Sequence, residues 1–169
     1  QGTATIKNCR ITNNTAGGLY ENNVYYLGKG GGIYTYAPKL IIEGCTIKGN
    51  KTEGNPTNTY ITLGGGICSE GKGMISIKKS SITGNSARQG GGISAYSRID
   101  INNCLLANNE AEIGGGIYCI SSSSKYVNCT FVGNKAVSAA GLRGGGVVEN
   151  CIFWDDIFLG SFTLSGCFL

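Results

Sequence analysis

Ten carboxylates and eight thiols are the reactive groups of this chain, and no histidine accompanies them. Carboxylates working in pairs could cleave a glycosidic bond, which takes two acids converging on one point with different pKa values. Only Glu110/Glu112 and Asp155/Asp156 come close along the chain. The first pair straddles a corner, where a solvated turn explains it. The second replaces an asparagine of a repeat, where capping or ion binding is an option. Histidine, the commonest acid–base group, is missing. The thiols lack CxxC spacing and histidine co-ligands, so no metal site is expected. The expectation is a chain without catalytic residues, cofactor or metal.

The reactive residues sit in a repeating frame. Five cysteines, Cys9, Cys45, Cys104, Cys129 and Cys151, open the pattern small-x-apolar-x-x-Asn, with Ser80 filling the gap in their series. The pattern closes on Asn14, Asn50, Asn85, Asn109 and Asn134, and then on Asp156, at separations of 36, 35, 24, 25 and 22 residues. Between these elements stand Gly-Gly-Gly-apolar blocks at 30–33, 64–67, 90–93, 114–117 and 144–147. A two-part unit recurring near 24 residues is the mark of a stacked solenoid. Inside each unit the apolar residues lie two apart, as in Leu40/Ile42, Ile75/Ile77 and Ile99/Ile101, which is strand spacing rather than helix spacing. Asn or Gly precedes every ladder Asn (Asn13, Gly49, Gly84, Asn108, Gly133), so a left-handed corner is expected there. The Asn column is read as inward and structural, its amides bonding one another and the bend backbone.

Apolar-x-x-Asn followed by Gly-Gly-(Gly/Ala)-Ile resembles the repeat of chlamydial polymorphic outer-membrane proteins and of bacterial surface proteins. The segments that carry it are Ile47 to Asn50 with Gly64 to Ile67, Ile82 to Asn85 with Gly90 to Ile93, and Phe131 to Asn134 with Gly144 to Val147. The resemblance implies a right-handed parallel β-helix. The fold class expected is therefore all-β, one β-solenoid domain over 1–169 of roughly six to seven coils, about 30 Å of rise. The chain departs from the chlamydial form in its Cys column and in having Ile more often than Phe.

The Cys column has two readings, a stack of small apolar side chains or coil-to-coil disulfides. At about 4.8 Å between coils the Cα atoms fall within disulfide range, and at least one bond is expected, Cys129 with Cys104 or Cys151, or Cys9 with Cys45. Cys167 sits apart near the end, consistent with a bond to another chain.

Binding is expected where coil length varies. The stretches 15–29, 51–63 and 135–143 read as corner loops projecting on one side. The two longest are rich in Tyr and Asn, and Tyr20, Asn22, Tyr25, Tyr26, Asn58 and Tyr60 are the candidate contacts for a host or matrix protein or a glycan. Sequons at Asn13 and Asn128 are candidate glycan sites; Asn50, also in a sequon, should be buried in the ladder. The charge of +4 is scattered with no basic stripe, so nucleic acid is not an expected partner. No apolar run is long enough for a membrane span. The expected role is a non-catalytic structural or adhesive module, extracellular or at a cell surface, with a carbohydrate-active or carbohydrate-binding β-helix as the alternative. The apolar stretch 157–169 is expected to cap the last coil or, preferably, to join the first coil of a neighbour, building a head-to-tail filament.

Overall fold

Alternation of apolar and polar residues every second position forces extended strands, and the repeat aligns each strand with its counterpart one coil away. The computed structural model describes residues 2–21, 24–54 and 61–169, with backbone alone at 19–21 and 24–26. The chain is a parallel β-helix. One face stacks Thr3–Lys7, Lys39–Glu43, Met74–Lys78, Ile99–Asn102 and Lys125–Val127. A second stacks Arg10–Thr12, Thr46–Lys48, Ser81–Thr83, Leu105–Ala107, Thr130–Val132 and Ile152–Trp154. A third, narrower face pairs Thr15–Gly17 with Lys51–Glu53 and Glu110–Ile113 with Lys135–Ser138, joined through bridges at Ser86. The fourth carries Ile33–Thr35, Ile67–Ser69, Ile93–Ala95 and Ile117–Cys119. Leu142–Glu149 then runs unbroken across the fourth and first faces, merging them into one sheet. Among the described residues no helix is long and apolar enough to cross a membrane.

Parallel register places identical side chains above one another, and the core is a set of such columns. Ile42, Ile77 and Ile101 line the first face, and Ile47, Ile82, Leu106 and Phe131 the second. Ile67, Ile93, Ile117 and Leu142 line the fourth, and all of these are sealed from solvent. Each contributes roughly 1.5–3 kcal/mol of apolar burial. Near the C-terminal end the columns turn aromatic, and Phe153 stacks flat on Phe131 with centroids 4.5 Å apart.

At the corner between the second and third faces the backbone turns too sharply to keep its hydrogen bonds, and the Asn column supplies them. Asn85 Oδ1 accepts the N–H of Asn50 at 2.9 Å and its Nδ2 at 3.1 Å. Asn85 Nδ2 in turn donates to Ile47 O and to Asn109 Oδ1, both at 3.0 Å. Asn109 repeats the arrangement towards Ile82 O and Asn134 Oδ1. The sixth rung is Asp156, whose carboxylate accepts both the N–H and the Nδ2 of Asn134. The residue before each rung has positive φ, at Asn13, Gly49, Gly84, Asn108, Gly133 and Asp155. The column before the cysteines is a second left-handed corner, through Asn8, Gly44, Lys79, Asn103, Asn128, Asn150 and Gly166.

The fifth glycine block is not where the repeat of the letters put it. Leu142, not Val147, stands in register with Ile117, so the corner there is Ala139-Ala140-Gly141, with Ala139 taking the positive φ of Gly114. In earlier coils the first glycine provides that φ. The next two admit a neighbouring coil: a Cβ at Gly92 would lie 2.5 Å from Gly116 O. Alanine is tolerated at 139 and 140 because the following coil passes from Asp156 to Phe158 through Ile157 alone, with no third-face strand. Gly144–Gly146 instead lie within the long strand, and 135–143 holds the strand Lys135–Ser138 and this corner rather than a projecting loop.

The stretch 157–169 is another coil. Phe158–Ser165 pairs with Leu142–Glu149 along all eight residues, Gly166 makes the left-handed corner, and Phe168 bridges to Ile152. Cys167 is thus the next member of the Cys column rather than an isolated thiol. Its Sγ lies 3.4 Å from Ser165 O, as Cys151 Sγ lies 3.3 Å from Glu149 O.

The expected disulfide is not formed: all eight cysteines are free. Each thiol of the column turns to the carbonyl two residues before it, from 3.0 Å at Cys9 to 3.4 Å at Cys167. Parallel register also keeps successive Cα–Cβ directions parallel instead of convergent, against disulfide geometry. The neighbouring Cys151 and burial together push the Cys129 thiol up, which disfavours the reactive thiolate.

Two outcomes follow. Alkylation without reductant should label Cys9 and Cys167 first in the native protein and all eight cysteines after unfolding, read by intact mass; a mass short by two labels would mean a disulfide. In urea unfolding, Asn109→Ala should cost about 3 kcal/mol or more, because it orphans the Asn85 donors and Ile82 O. Asp156→Asn should gain about 1 kcal/mol at neutral pH, since the restored amide can donate to Phe131 O, three residues before Asn134. Burial raises the Asp156 carboxyl against the opposing bonds from Asn134, and the nearby Asp155 adds to the rise. The acid is thus harder to ionise folded than unfolded, and its ionisation withdraws stability as pH rises from the unfolded value through the folded one. The asparagine variant should lose that dependence.

Candidate functional site

Outward positions of the first face form three columns, and their side chains border a groove of about 670 Å³. The column two residues before the cysteines reads Lys7, Glu43, Lys78, Asn102, Val127. The next inner one reads Thr5, Ile41, Ser76, Asp100, Lys125, and the third includes Lys39 and Met74. Strand pairing sets the pitch of each column, and the sealed Ile columns beneath hold the floor in place. The groove is therefore built on a regular stack of strands.

Its two acids are both engaged. Glu43 Oε2 lies 2.9 Å from Lys7 Nζ, and Asp100 receives Arg98 through Nε at 2.9 Å and Nη2 at 2.7 Å. The hydrogen bond and charge of Lys7, with Lys79 and Lys78 beyond it, hold the Glu43 carboxyl below the usual carboxylate range. A general acid needs the opposite shift. Lys39, Lys78 and Lys125 are exposed and form no ion pair among the described residues, so the groove carries surplus positive charge.

Aromatic side chains cluster on the fourth face. Tyr34 and Tyr36 meet edge to face at 5.6 Å, Tyr96 and Tyr118 at 6.5 Å. Tyr34 donates to Glu70 Oε2 at 2.9 Å, and Tyr36 at 3.3 Å, while Lys29 Nζ approaches Glu70 Oε1 to 2.7 Å. Burial alone would raise the Glu70 carboxyl; the bonds from Lys29 and Tyr34 overcome it and hold the group low. Burial, then the charge of Glu70, pushes the Cys68 thiol up to about 12, so Cys68 stays a protonated, enclosed thiol.

Of the residues expected to bind, three lie in described strands. Tyr20, Tyr25 and Tyr26 belong to the antiparallel hairpin Leu19–Glu21/Val24–Tyr26, in which Tyr20 opposes Tyr25. Asn22, Asn58 and Tyr60 lie outside the described residues. Glu110 and Glu112 occupy a strand, not a turn, and Glu112 takes a bidentate contact from Arg88 at 2.8 and 2.9 Å. Of the sequons, Asn50 is sealed in the ladder, whereas Asn13 and Asn128 are exposed corner residues. The groove lysines and the fourth-face tyrosines were both legible as columns, the first counted back from each Cys and the second forward from each glycine block.

Residues 8–36 match the model of the Chlamydia polymorphic membrane protein (Chlamydia_PMP) repeat. No curated protein and no solved structure matches the chain. The matched stretch holds the first Cys and Asn rungs and the first glycine block, elements that recur with substitutions in later coils. The chain is a parallel β-helix repeat protein that resembles this repeat of bacterial surface proteins.

Proposed function

We propose that the chain is a non-catalytic module of a bacterial cell surface, serving as a rigid adhesive scaffold whose outward columns meet partners outside the cell. The observation that carries this reading is the state of the groove's carboxylates. Both are clamped by cations, and Glu43 is held ionised, the opposite of what a general acid needs. What the groove offers instead is a fixed array of charge and hydrogen-bonding groups. The repeat matched at residues 8–36 supports the surface location.

Self-association is a second reading, favoured by one observation. The strand Phe158–Ser165 has a partner on one side alone among the described residues, and Leu159, Leu164, Phe168 and Leu169 are exposed beside its open edge. Another coil laid there would continue the backbone ladder and bury those side chains. In the head-to-tail assembly proposed here, that coil comes from a second copy.

Beads coated with the chain should bind host cells or extracellular matrix, while incubation with polysaccharides releases no reducing ends and no unsaturated sugars. Release that scales with protein concentration and disappears in Glu43→Gln or Asp100→Asn would overturn the non-catalytic reading in favour of a carbohydrate-active enzyme. Sedimentation velocity of the same preparation should show mass rising with concentration. A monomer at every concentration would remove the assembly reading and leave the adhesive one standing.

A further inference from the structure

We infer that the first-face groove is a binding site for an acidic polysaccharide, a linear glycan bearing carboxylate or sulfate groups. This rests on the adhesive reading and gives it a ligand class. Three observations carry it. The lysines without ion pairs, Lys39, Lys78 and Lys125, come from three separate coils and three separate columns, so they spread charge over the groove instead of focusing it at a point. From the coil of Lys39 to that of Lys125 is three strand spacings, about 14 Å, a span suited to an extended polymer rather than a single small anion.

Between the lysines stand Thr5, Ser76 and Asn102, neutral groups that donate to and accept from sugar hydroxyls, and Ile41 and Met74 offer apolar surface to the C–H faces of sugar rings. The acids that would repel such a ligand, Glu43 and Asp100, are neutralised by Lys7 and Arg98.

Other polyanions fit less well. Among the described residues, those bordering the groove include no aromatic side chain on which a base could stack. An acidic peptide extending the sheet would need free backbone groups, and on this face those groups are spent in the parallel ladder.

Affinity electrophoresis of the whole chain tests the inference, with polygalacturonate, dextran sulfate, neutral dextran or single-stranded DNA cast in the gel. Retardation by polygalacturonate or dextran sulfate, and not by dextran, is expected; which of the two retards more tells carboxylate from sulfate. The variant K39Q/K78Q/K125Q should bind at least about tenfold more weakly, since it loses the three groove cations that have no ion pair among the described residues. The variant K48Q/K72Q/K135Q removes the same charge elsewhere and should bind as the parent does, and circular dichroism should report unchanged strand content in both. Equal weakening in the two variants, or equal retardation by DNA, would show attraction by net charge and overturn the site. Absence of retardation by either acidic polymer would overturn it too. Bead adhesion that persisted under that result would show the groove assignment wrong and the adhesive reading intact.

Discussion

Everything in this molecule answers to the distance between one coil and the next. Backbone hydrogen bonding sets it at about 4.8 Å, and every residue must tolerate its own counterpart at that separation above and below. Apolar side chains do so by forming the sealed columns of Ile42, Ile77 and Ile101. Where the chain bends, carbonyls of one coil come so close to the next that a β-carbon would overlap them, and glycine is the residue left, as at Gly92 against Gly116 O. Where the bend pulls an N–H away from its neighbouring strand, a side chain has to reach across instead, and asparagine combines the acceptor and donor that this takes.

The same constraint makes the exterior legible as function. A side chain on a stacked face has no freedom to choose its neighbour; its lateral company is fixed by register, and its support is a core column directly behind it. Lysines on the first face therefore keep a set spacing, and Glu43 finds Lys7 within reach because one column holds both, while Asp100 meets Arg98 from two residues earlier on its own coil. A site assembled in this way is shaped by counting positions, and it differs in kind from one gathered by loops.

Most of the fold was readable from the residues. The period, the inward Asn column and the left-handed corners before Asn50 or Asn85 followed from residue type and spacing alone. Three features did not. The alignment of Gly144 to Val147 as the fifth block failed because the letters repeat while the chain does not: the true corner uses Ala139-Ala140-Gly141, allowed only because the coil beneath lacks a third-face strand. Cys167 was hidden for a related reason, since its coil is shortened and the spacing from Cys151 drops to 16 residues. The disulfide expected from the coil spacing is absent because the thiols of the column turn side by side to the carbonyls two residues before them, which spacing alone does not reveal.

The Asn column also has a direction. Each amide oxygen takes protons from the coil before it, while each amide nitrogen gives one proton to the rung after it and the other to a backbone carbonyl of the coil before it, so every rung is interchangeable with every other and none can be reversed. Asp156 accepts from Asn134 and, in its ionised form, has no proton to pass on. Lengthening by duplication is thereby biased. A copied coil bearing Asn slots into the middle of the stack and leaves the whole series of bonds intact, whereas a copy of the Asp156 coil placed there would set a carboxylate against the carbonyl of the next rung and cut the column in two. The history of such a chain should be one of growth from within its asparagine coils, with the aspartate coil left uncopied.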